Sequence, residues 1–168
     1  MEHLRKIENK IQSIAQMEIT LKQWRAEKCN IVFTNGCFDI IHLGHIDYLS
    51  KAADLGDRLI IGVNTDSSVS RIKGPLRPIN DQSSRLHVLA SMEFVSMLVL
   101  FDEPTPYELI ARVQPDVLVK GADYKPEEIV GYEIVKAKGG RIFTIDYLPG
   151  YSTSAIEKRI VEKNKLQL

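Results

Sequence analysis

The sequence of 168 residues has few of the features that mark several common classes of protein. Its two cysteines, Cys29 and Cys37, are too few for a disulfide framework and lack the spacing of metal ligands. The 22 basic and 22 acidic residues cancel, so no overall charge favours nucleic acid or an anionic membrane. No apolar run is long enough to cross a bilayer, and the charged N-terminus lacks a signal-peptide core. We therefore expect a cytoplasmic protein that binds neither nucleic acid nor membrane.

Short apolar segments alternate with helical patterns along most of the chain. Five of these segments predict strands that are covered on both faces: NIVFTNG, RLIIGVN, EFVSMLVLF, DVLVKG and RIFTID. Helical patterns lie before the first strand and after each of the five, over residues 2–28, 43–55, 81–91, 105–113, 126–138 and 152–163.

This alternation predicts an α/β fold of the Rossmann-like, doubly wound type. We expect a sheet of five parallel strands in the order 3-2-1-4-5. The length suits a single domain, which we place over residues 29–168, and an N-terminal helical extension occupies residues 1–28.

The segments after the predicted strands carry most of the chemistry. Four of the five combine Gly with hydroxyl, carboxylate, Lys or His side chains: TNGCFDIIHLGH, NTDSSVSRIKG, VKGADYKP and LPGYSTSAI. In a doubly wound sheet, ligands bind beyond the carboxyl ends of the strands, where the strand order reverses. We therefore expect the functional site at this edge.

Two of the four histidines, His42 and His45, lie three positions apart on one face of the helix after the first strand. A zinc site would need a third ligand, and the sequence has no His-Glu-x-x-His pattern. A Gly-x-Ser-x-Gly nucleophile turn is also absent, and Cys37 is more typical of a small core residue. Ordinary packing of the two histidines stays open. Their position at a helix start, beside Gly36 and Gly44, favours binding of a phosphate through imidazole and backbone N–H groups.

The segment TNGCFDIIHLGH resembles the Gly-x-Phe-Asp-x-x-His-x-Gly-His signature of the cytidylyltransferase-like nucleotidyltransferases. Downstream, GYSTSAI resembles the Ser/Thr-rich turn that opens their last helix. The resemblance covers about residues 30–160 and is closest to the adenylyltransferases of ADP-heptose synthesis, over FTNGCFDIIHLGHIDYLSKAADLGDRLIIGVNTDSSVSRIKGPLRPIN and PDVLVKGADYKPEEIVG.

This resemblance implies transfer of AMP from ATP to a sugar 1-phosphate, heptose 1-phosphate, with release of pyrophosphate. The product, ADP-heptose, would serve lipopolysaccharide or other surface-glycan synthesis. Mg²⁺ is the implied cofactor, held mainly by the triphosphate and water. Many family members are fused behind a sugar kinase, so we expect a separate kinase to supply the substrate here. We also expect a homo-oligomer, with a dimer as the default.

The resemblance further implies three groups of site residues. The catalytic group would be His42, His45 and Lys73, and the phosphate of the sugar would be held by Arg71, Arg77 and Arg85. The nucleotide would be bound by Thr34, Asn35, Gly36, Phe38, Gly44, Lys120, Gly121, Asp123, Tyr124, Ser152, Thr153 and Ser154. No protein residue is assigned as a metal ligand, although Asp123 could bind either the ribose or a bound metal.

For several of these residues the sequence also allows a structural role. Lys73 and the three arginines are also compatible with surface positions, and Ser152 with the N-cap of the last helix. Asp39 is expected to order its turn, because a carboxylate would repel a triphosphate.

Two other functions stay open at this point. One is a cytidylyltransferase acting on glycerol 3-phosphate or a similar alcohol phosphate, and the other is a nucleotide-binding module without activity. The glycerol-phosphate enzymes carry an Arg shortly before the Ser/Thr-rich turn, and YLPGYSTS has none, which favours the heptose branch. Both histidines, Lys73 and the turn are present, which speaks against a module without activity.

Overall fold

The computed structural model describes residues 2–123 and 125–165. A sheet of five parallel strands in the order β3-β2-β1-β4-β5 confirms the predicted doubly wound fold. The strands are β1 (Ile31–Gly36), β2 (Arg58–Asn64), β3 (Met97–Phe101), β4 (Val117–Gly121) and β5 (Arg141–Ile145). After β3 at one edge of the sheet, the chain returns to the other side of β1, where it forms β4. The strand order therefore reverses between β1 and β4, which is where this type of sheet binds ligands.

Helices cover both faces of the sheet. They are α1 (Glu2–Glu8), α2 (Ile14–Ala26), α3 (Leu43–Ala53), α4 (Asp66–Lys73), α5 (Gln82–Ala90), α6 (Tyr107–Val113), α7 (Tyr132–Ala137) and α8 (Thr153–Lys165). Alternate strand residues point to opposite faces, so β1 sends Val32 into a core with α3 and α5, and Phe33 into a second core with α2 and α6. In the described residues, no helix has both the length and the apolar character needed to cross a membrane.

Residues 2–28 form two helices, where the sequence pattern predicted helix throughout. The chain between them pairs with β3: the Leu98 N–H donates to the Lys10 carbonyl oxygen at 2.8 Å, and the Gln12 N–H donates to the Leu98 carbonyl oxygen at 2.9 Å. This pairing satisfies backbone groups on an edge strand, which a continuous helix would leave exposed. Met17 and Leu21 of α2 are buried in the core, so the N-terminal helices pack on the domain itself.

Two further helix predictions differ from the structure. We expected no helix directly after β2, but Thr65 caps α4 by accepting a hydrogen bond from the Ser68 N–H at 3.2 Å. Lys73 is therefore the last residue of a helix, whereas the sequence pattern predicted no helix between β2 and residue 81. The helix predicted over 126–138 is divided into a short 3-10 turn and α7, because Gly131 takes the left-handed conformation at φ +91° between them.

Candidate functional site

A cavity of about 470 Å³ opens at the carboxyl ends of β1 and β4, where the strand order reverses. Its walls come from the turn after β1, the start of α3, the ends of α4 and β4, and the turn before α8. The lining residues are Asn35, Gly36, Cys37, Phe38, His42, Gly44, His45, Tyr48, Lys73, Lys120, Gly121, Tyr147, Tyr151, Ser152 and Thr153. Eleven of these fifteen were predicted as site residues from the sequence.

The two histidines form a stacked pair at the N-terminus of α3. His42 is the N-cap residue and His45 lies in the first turn, with their ring centroids 3.9 Å apart and the ring planes inclined by 25°. The edge of Phe38 contacts His45 at a centroid distance of 5.5 Å. Gly44 allows this arrangement, because a Cβ there would lie 3.1 Å from His42 Nδ1 and 3.2 Å from Tyr151 Cβ.

Both imidazoles are neutral at pH 7. Burial lowers the pKa of His42, and burial together with the neighbouring His42 lowers the pKa of His45 to about 4. Within the described part of the chain, the buried Nδ1 atoms of both rings have no hydrogen-bond partner. A neutral imidazole carries one N–H donor, so the pair can offer two donors beside the positive end of a helix. This combination suits an anion that enters the cavity.

Lysine side chains add positive charge to the cavity wall. Lys120, at the end of β4, donates to Asn35 Oδ1, and its burial lowers the pKa of the ammonium group to about 8. The group is still mostly charged at pH 7. Lys73 reaches the wall from the end of α4, beside Cys37. Burial raises the pKa of the Cys37 thiol more than these cations lower it, so the thiol stays protonated and is a poor nucleophile.

The Ser/Thr-rich turn lines the same cavity as the histidines, and Tyr151, which precedes Ser152, packs close to Gly44 at the start of α3. Ser152 Oγ accepts a hydrogen bond from the Ala155 N–H at 3.1 Å, which is the capping role that the sequence allowed. Ser152 and Thr153 also line the cavity. The start of α8 therefore presents hydroxyl groups and a helix N-terminus to the same space as α3.

The family model described as cytidylyltransferase-like matches residues 33–159, which include both signature segments. This chain belongs to the cytidylyltransferase-like family. The predicted family is confirmed, and the chain is accordingly a nucleotidyltransferase.

Close relatives include two proteins named bifunctional protein HldE. That of Campylobacter concisus is 52% identical over 153 residues, and that of Wolinella succinogenes is 51% identical over 158 residues. The matches cover 91% and 94% of this chain but only 31% and 32% of the relatives, so the chain spans about a third of their length.

Solved structures show the same fold. The lipopolysaccharide core biosynthesis protein from Thermoplasma volcanium is 30% identical with a TM-score of 0.57, over 71% of this chain and 97% of that one. A pantoate-beta-alanine ligase from Francisella tularensis, complexed with beta-gamma ATP and beta-alanine, has a TM-score of 0.62 over 89% of this chain and 72% of its own. At 19% identity, the ligase shows the fold alone.

Some of the predicted nucleotide-binding residues lie outside the lining of the cavity. Thr34 is fully buried, and its hydroxyl is hydrogen-bonded at 2.8 Å to the hydroxyl of Tyr48, which lines the cavity. Thr34 therefore contacts a lining residue without reaching the cavity itself. Ser154 is exposed on α8, and Asp123 is exposed and accepts a hydrogen bond from Tyr147 at 3.3 Å. Tyr124 lies outside the described residues.

The three arginines predicted to hold the phosphate of the sugar are all held by protein groups. Arg85 is buried and Arg77 largely shielded, while Arg71 forms an exposed pair with Asp102 at 3.0 Å. Among the described residues, none of the three lines the cavity. Arg85 donates to backbone oxygens and to Asp66, so its predicted phosphate contact does not fit its position.

Sequence reasoning missed the aromatic part of the wall. Tyr48 lies one turn after His45 on the same face of α3, and this spacing could have indicated it. Tyr151 directly precedes the Ser/Thr-rich turn, and the Tyr147 ring packs on Gly121. Tyr48 comes from a segment far from Tyr147 and Tyr151 in the chain, and the sequence alone does not show that the three rings meet.

The described residues include no group of three His, Cys, Asp or Glu side chains arranged to hold a metal ion. Mg²⁺ often keeps several waters and binds through substrate phosphates with one or two carboxylates. The described residues that line the cavity include no carboxylate, so a Mg²⁺ ion there would be held by triphosphate oxygens and water.

Proposed function

We propose that this nucleotidyltransferase transfers AMP from ATP to a sugar 1-phosphate, heptose 1-phosphate, and releases pyrophosphate. The observation that carries the proposal is the stacked pair of histidines at the start of α3, which lines one cavity together with Lys120 and the start of α8. The acceptor is supported by the resemblance to the adenylyltransferases of ADP-heptose synthesis and by the HldE relatives. The similar Thermoplasma protein supports a role in lipopolysaccharide precursor synthesis.

In this reaction, an oxygen of the sugar phosphate attacks the α-phosphorus of ATP. The bond from that phosphorus to the oxygen bridging the α- and β-phosphates breaks, and pyrophosphate leaves with the electron pair. No covalent bond to the protein is needed, so catalysis rests on positioning and on stabilising negative charge. Bound Mg²⁺ would supply further neutralisation of the triphosphate oxygens.

The histidines would donate N–H groups to the oxygens of the transferring phosphoryl group. Because both rings are neutral, neither needs to give up a proton, and the donors are in place before charge develops. Lys73 and Lys120 would add positive charge from the other walls. Ser152 and Thr153 would bind the β- and γ-phosphates through hydroxyl and helix N-terminal N–H groups.

A matrix of pyrophosphate-release assays with Mg²⁺ tests the proposal. The four nucleoside triphosphates would each be combined with heptose 1-phosphate, glucose 1-phosphate and glycerol 3-phosphate. We expect turnover with ATP and heptose 1-phosphate. If CTP and glycerol 3-phosphate are turned over faster than ATP and heptose 1-phosphate, the protein is instead a cytidylyltransferase of the alternative kind. Tight nucleotide binding without turnover in any combination would contradict the proposed reaction.

We make two further proposals on partners. The acceptor is itself a phosphate ester, so we propose that a separate sugar kinase supplies it. We also keep the prediction of a homodimer in the cytoplasm, and light scattering on the purified protein would measure the oligomeric state.

A further inference from the structure

Arg77 joins three segments of the site without lining the cavity. Its Nη1 donates to Asp39 Oδ2 at 2.7 Å, and its Nη2 pairs with the carboxylate of Glu157 on α8. The side chains of Arg77 and Asp39 are only 19% and 9% exposed, so this pair is largely shielded from water. Asp39 lies three residues before His42, and Glu157 lies four residues after Thr153.

Asp39 also holds the loop that contains Arg77, residues 74–81. Its Oδ1 accepts from the backbone N–H groups of Ile79 at 2.8 Å and Asn80 at 2.9 Å, and its carbonyl oxygen accepts from Asn80 Nδ2 at 2.6 Å. Burial raises the pKa of Asp39, but these N–H donors and the Arg77 guanidinium outweigh it and hold the pKa below its usual value. The carboxylate is therefore ionised, and the loop directly after Lys73 is fastened to the turn that precedes the histidines.

We infer that Arg77 is a positioning residue for the transfer reaction. It connects the turn before α3, the loop after Lys73, and the helix that carries the Ser/Thr-rich turn. The inference rests on the proposed function, and it gives Arg77 a role different from the direct phosphate contact expected from the sequence. A planar guanidinium can serve two carboxylates at once, which a single ammonium group cannot do with the same geometry.

The connection matters because it joins two separate segments that carry lining residues of the cavity. Asp39 lies on the histidine side and Glu157 lies on the α8 side, and only the side chain of Arg77 bridges these two carboxylates among the described contacts. Loss of the ion pair with Asp39 would leave Lys73 less well placed relative to the histidines. Loss of the ion pair with Glu157 would do the same for the start of α8. Misplacement of reacting groups by about 1 Å costs on the order of 100-fold in rate.

The kinetic test compares loss of both ion pairs with loss of one. Arg77→Ala, which removes the contacts to Asp39 and Glu157, and Glu157→Ala, which removes only the second, should each lower kcat/KM for pyrophosphate release by about 10- to 100-fold. Because Arg77→Ala already removes the contact to Glu157, the double variant should be no worse than Arg77→Ala alone. Glu157→Gln keeps an acceptor oxygen and should recover part of the loss. Glu162→Ala is the matched control, since among the described residues Glu162 pairs with the exposed Lys158 of the same helix, and the change should leave kcat/KM unchanged.

Hydrogen exchange supplies a second readout that does not depend on turnover. Glu157→Ala should make the amides of Ile79 and Asn80 exchange about tenfold faster, although Glu157 lies on a different element. Unchanged kcat/KM in an active Glu157→Ala protein would overturn the inference, as would unchanged exchange of both amides. If the wild-type protein releases no pyrophosphate, the proposed function fails, and the exchange experiment alone then decides whether Arg77 couples α8 to the loop.

Discussion

Replacing Arg85 with methionine should destabilise the protein strongly, because the guanidinium lies in the interior and donates to four oxygens. Its side chain is 0% exposed. Nη2 donates to the Asn64 carbonyl oxygen at 2.7 Å and to Asp66 Oδ1 at 2.8 Å, Nε donates to the Asn80 carbonyl oxygen at 3.1 Å, and Nη1 donates to that of Cys37. Methionine fills much of the same volume but provides no donor.

The magnitude follows from the groups that lose their partner. Each buried acceptor left unsatisfied costs about 1–3 kcal/mol, and breaking a buried ion pair costs about 3–5 kcal/mol. The Asp66 side chain is 39% exposed, so water can replace part of its interaction with Arg85. We therefore expect a loss near the lower end, about 3 kcal/mol in the free energy of unfolding. For a domain of this size, that corresponds to a fall in Tm of about 6–12 °C.

Urea unfolding followed by circular dichroism would measure the free energy, with pyrophosphate release measured on the same preparations. Arg112→Met is the control, because Arg112 forms an exposed pair with Glu18 at 3.0 Å and should change stability by about 1 kcal/mol or less. If Arg85→Met lost less than about 1 kcal/mol while turnover collapsed, the structural reasoning would be refuted, and Arg85 would be acting on substrate.

Four other predictions concern the cavity and the residues behind its wall. His45→Asn should lower kcat by about 100-fold with little change in Tm, whereas strong destabilisation with unchanged activity would show a packing role. Because burial lowers the pKa of His45 to about 4, the unfolded chain takes up the proton first as the pH falls. Wild-type stability should therefore drop between pH 6.5 and 4 by up to about 1.4 kcal/mol per pH unit, and the stability of His45→Asn should drop less over the same range. ATP affinity measured by calorimetry should weaken as Lys120 loses its charge above pH 8, and a wild-type pH dependence retained in Lys120→Met would contradict this. Thr34→Val and Tyr48→Phe should each cost about 1 kcal/mol of stability in urea unfolding, with the double variant costing less than the sum; full additivity would contradict their coupling.

The strands and the place of the site followed directly from the sequence. Each strand is a short apolar run with a polar or Gly boundary, and a doubly wound sheet brings the carboxyl ends of its strands to one edge. The histidines, Lys120 and the Ser/Thr-rich turn all follow strands, so their convergence needed no knowledge of side-chain contacts. The helix errors at residues 2–28 and 66–73 arose where a tertiary contact or a single Thr cap decided the backbone.

The sequence by itself determined the fold class, the family and the segments that enclose the cavity, because periodicity and local signatures are properties of neighbouring residues. Only the tertiary structure decided which charged side chains face that cavity. Arg77 and Arg85 look like phosphate ligands in the sequence, but their partners come from segments 38 and 48 residues away. Burial and ion pairing depend on such distant groups. Lys120 lines the cavity, whereas Arg77 and Arg85 bind protein oxygens in the surrounding loops.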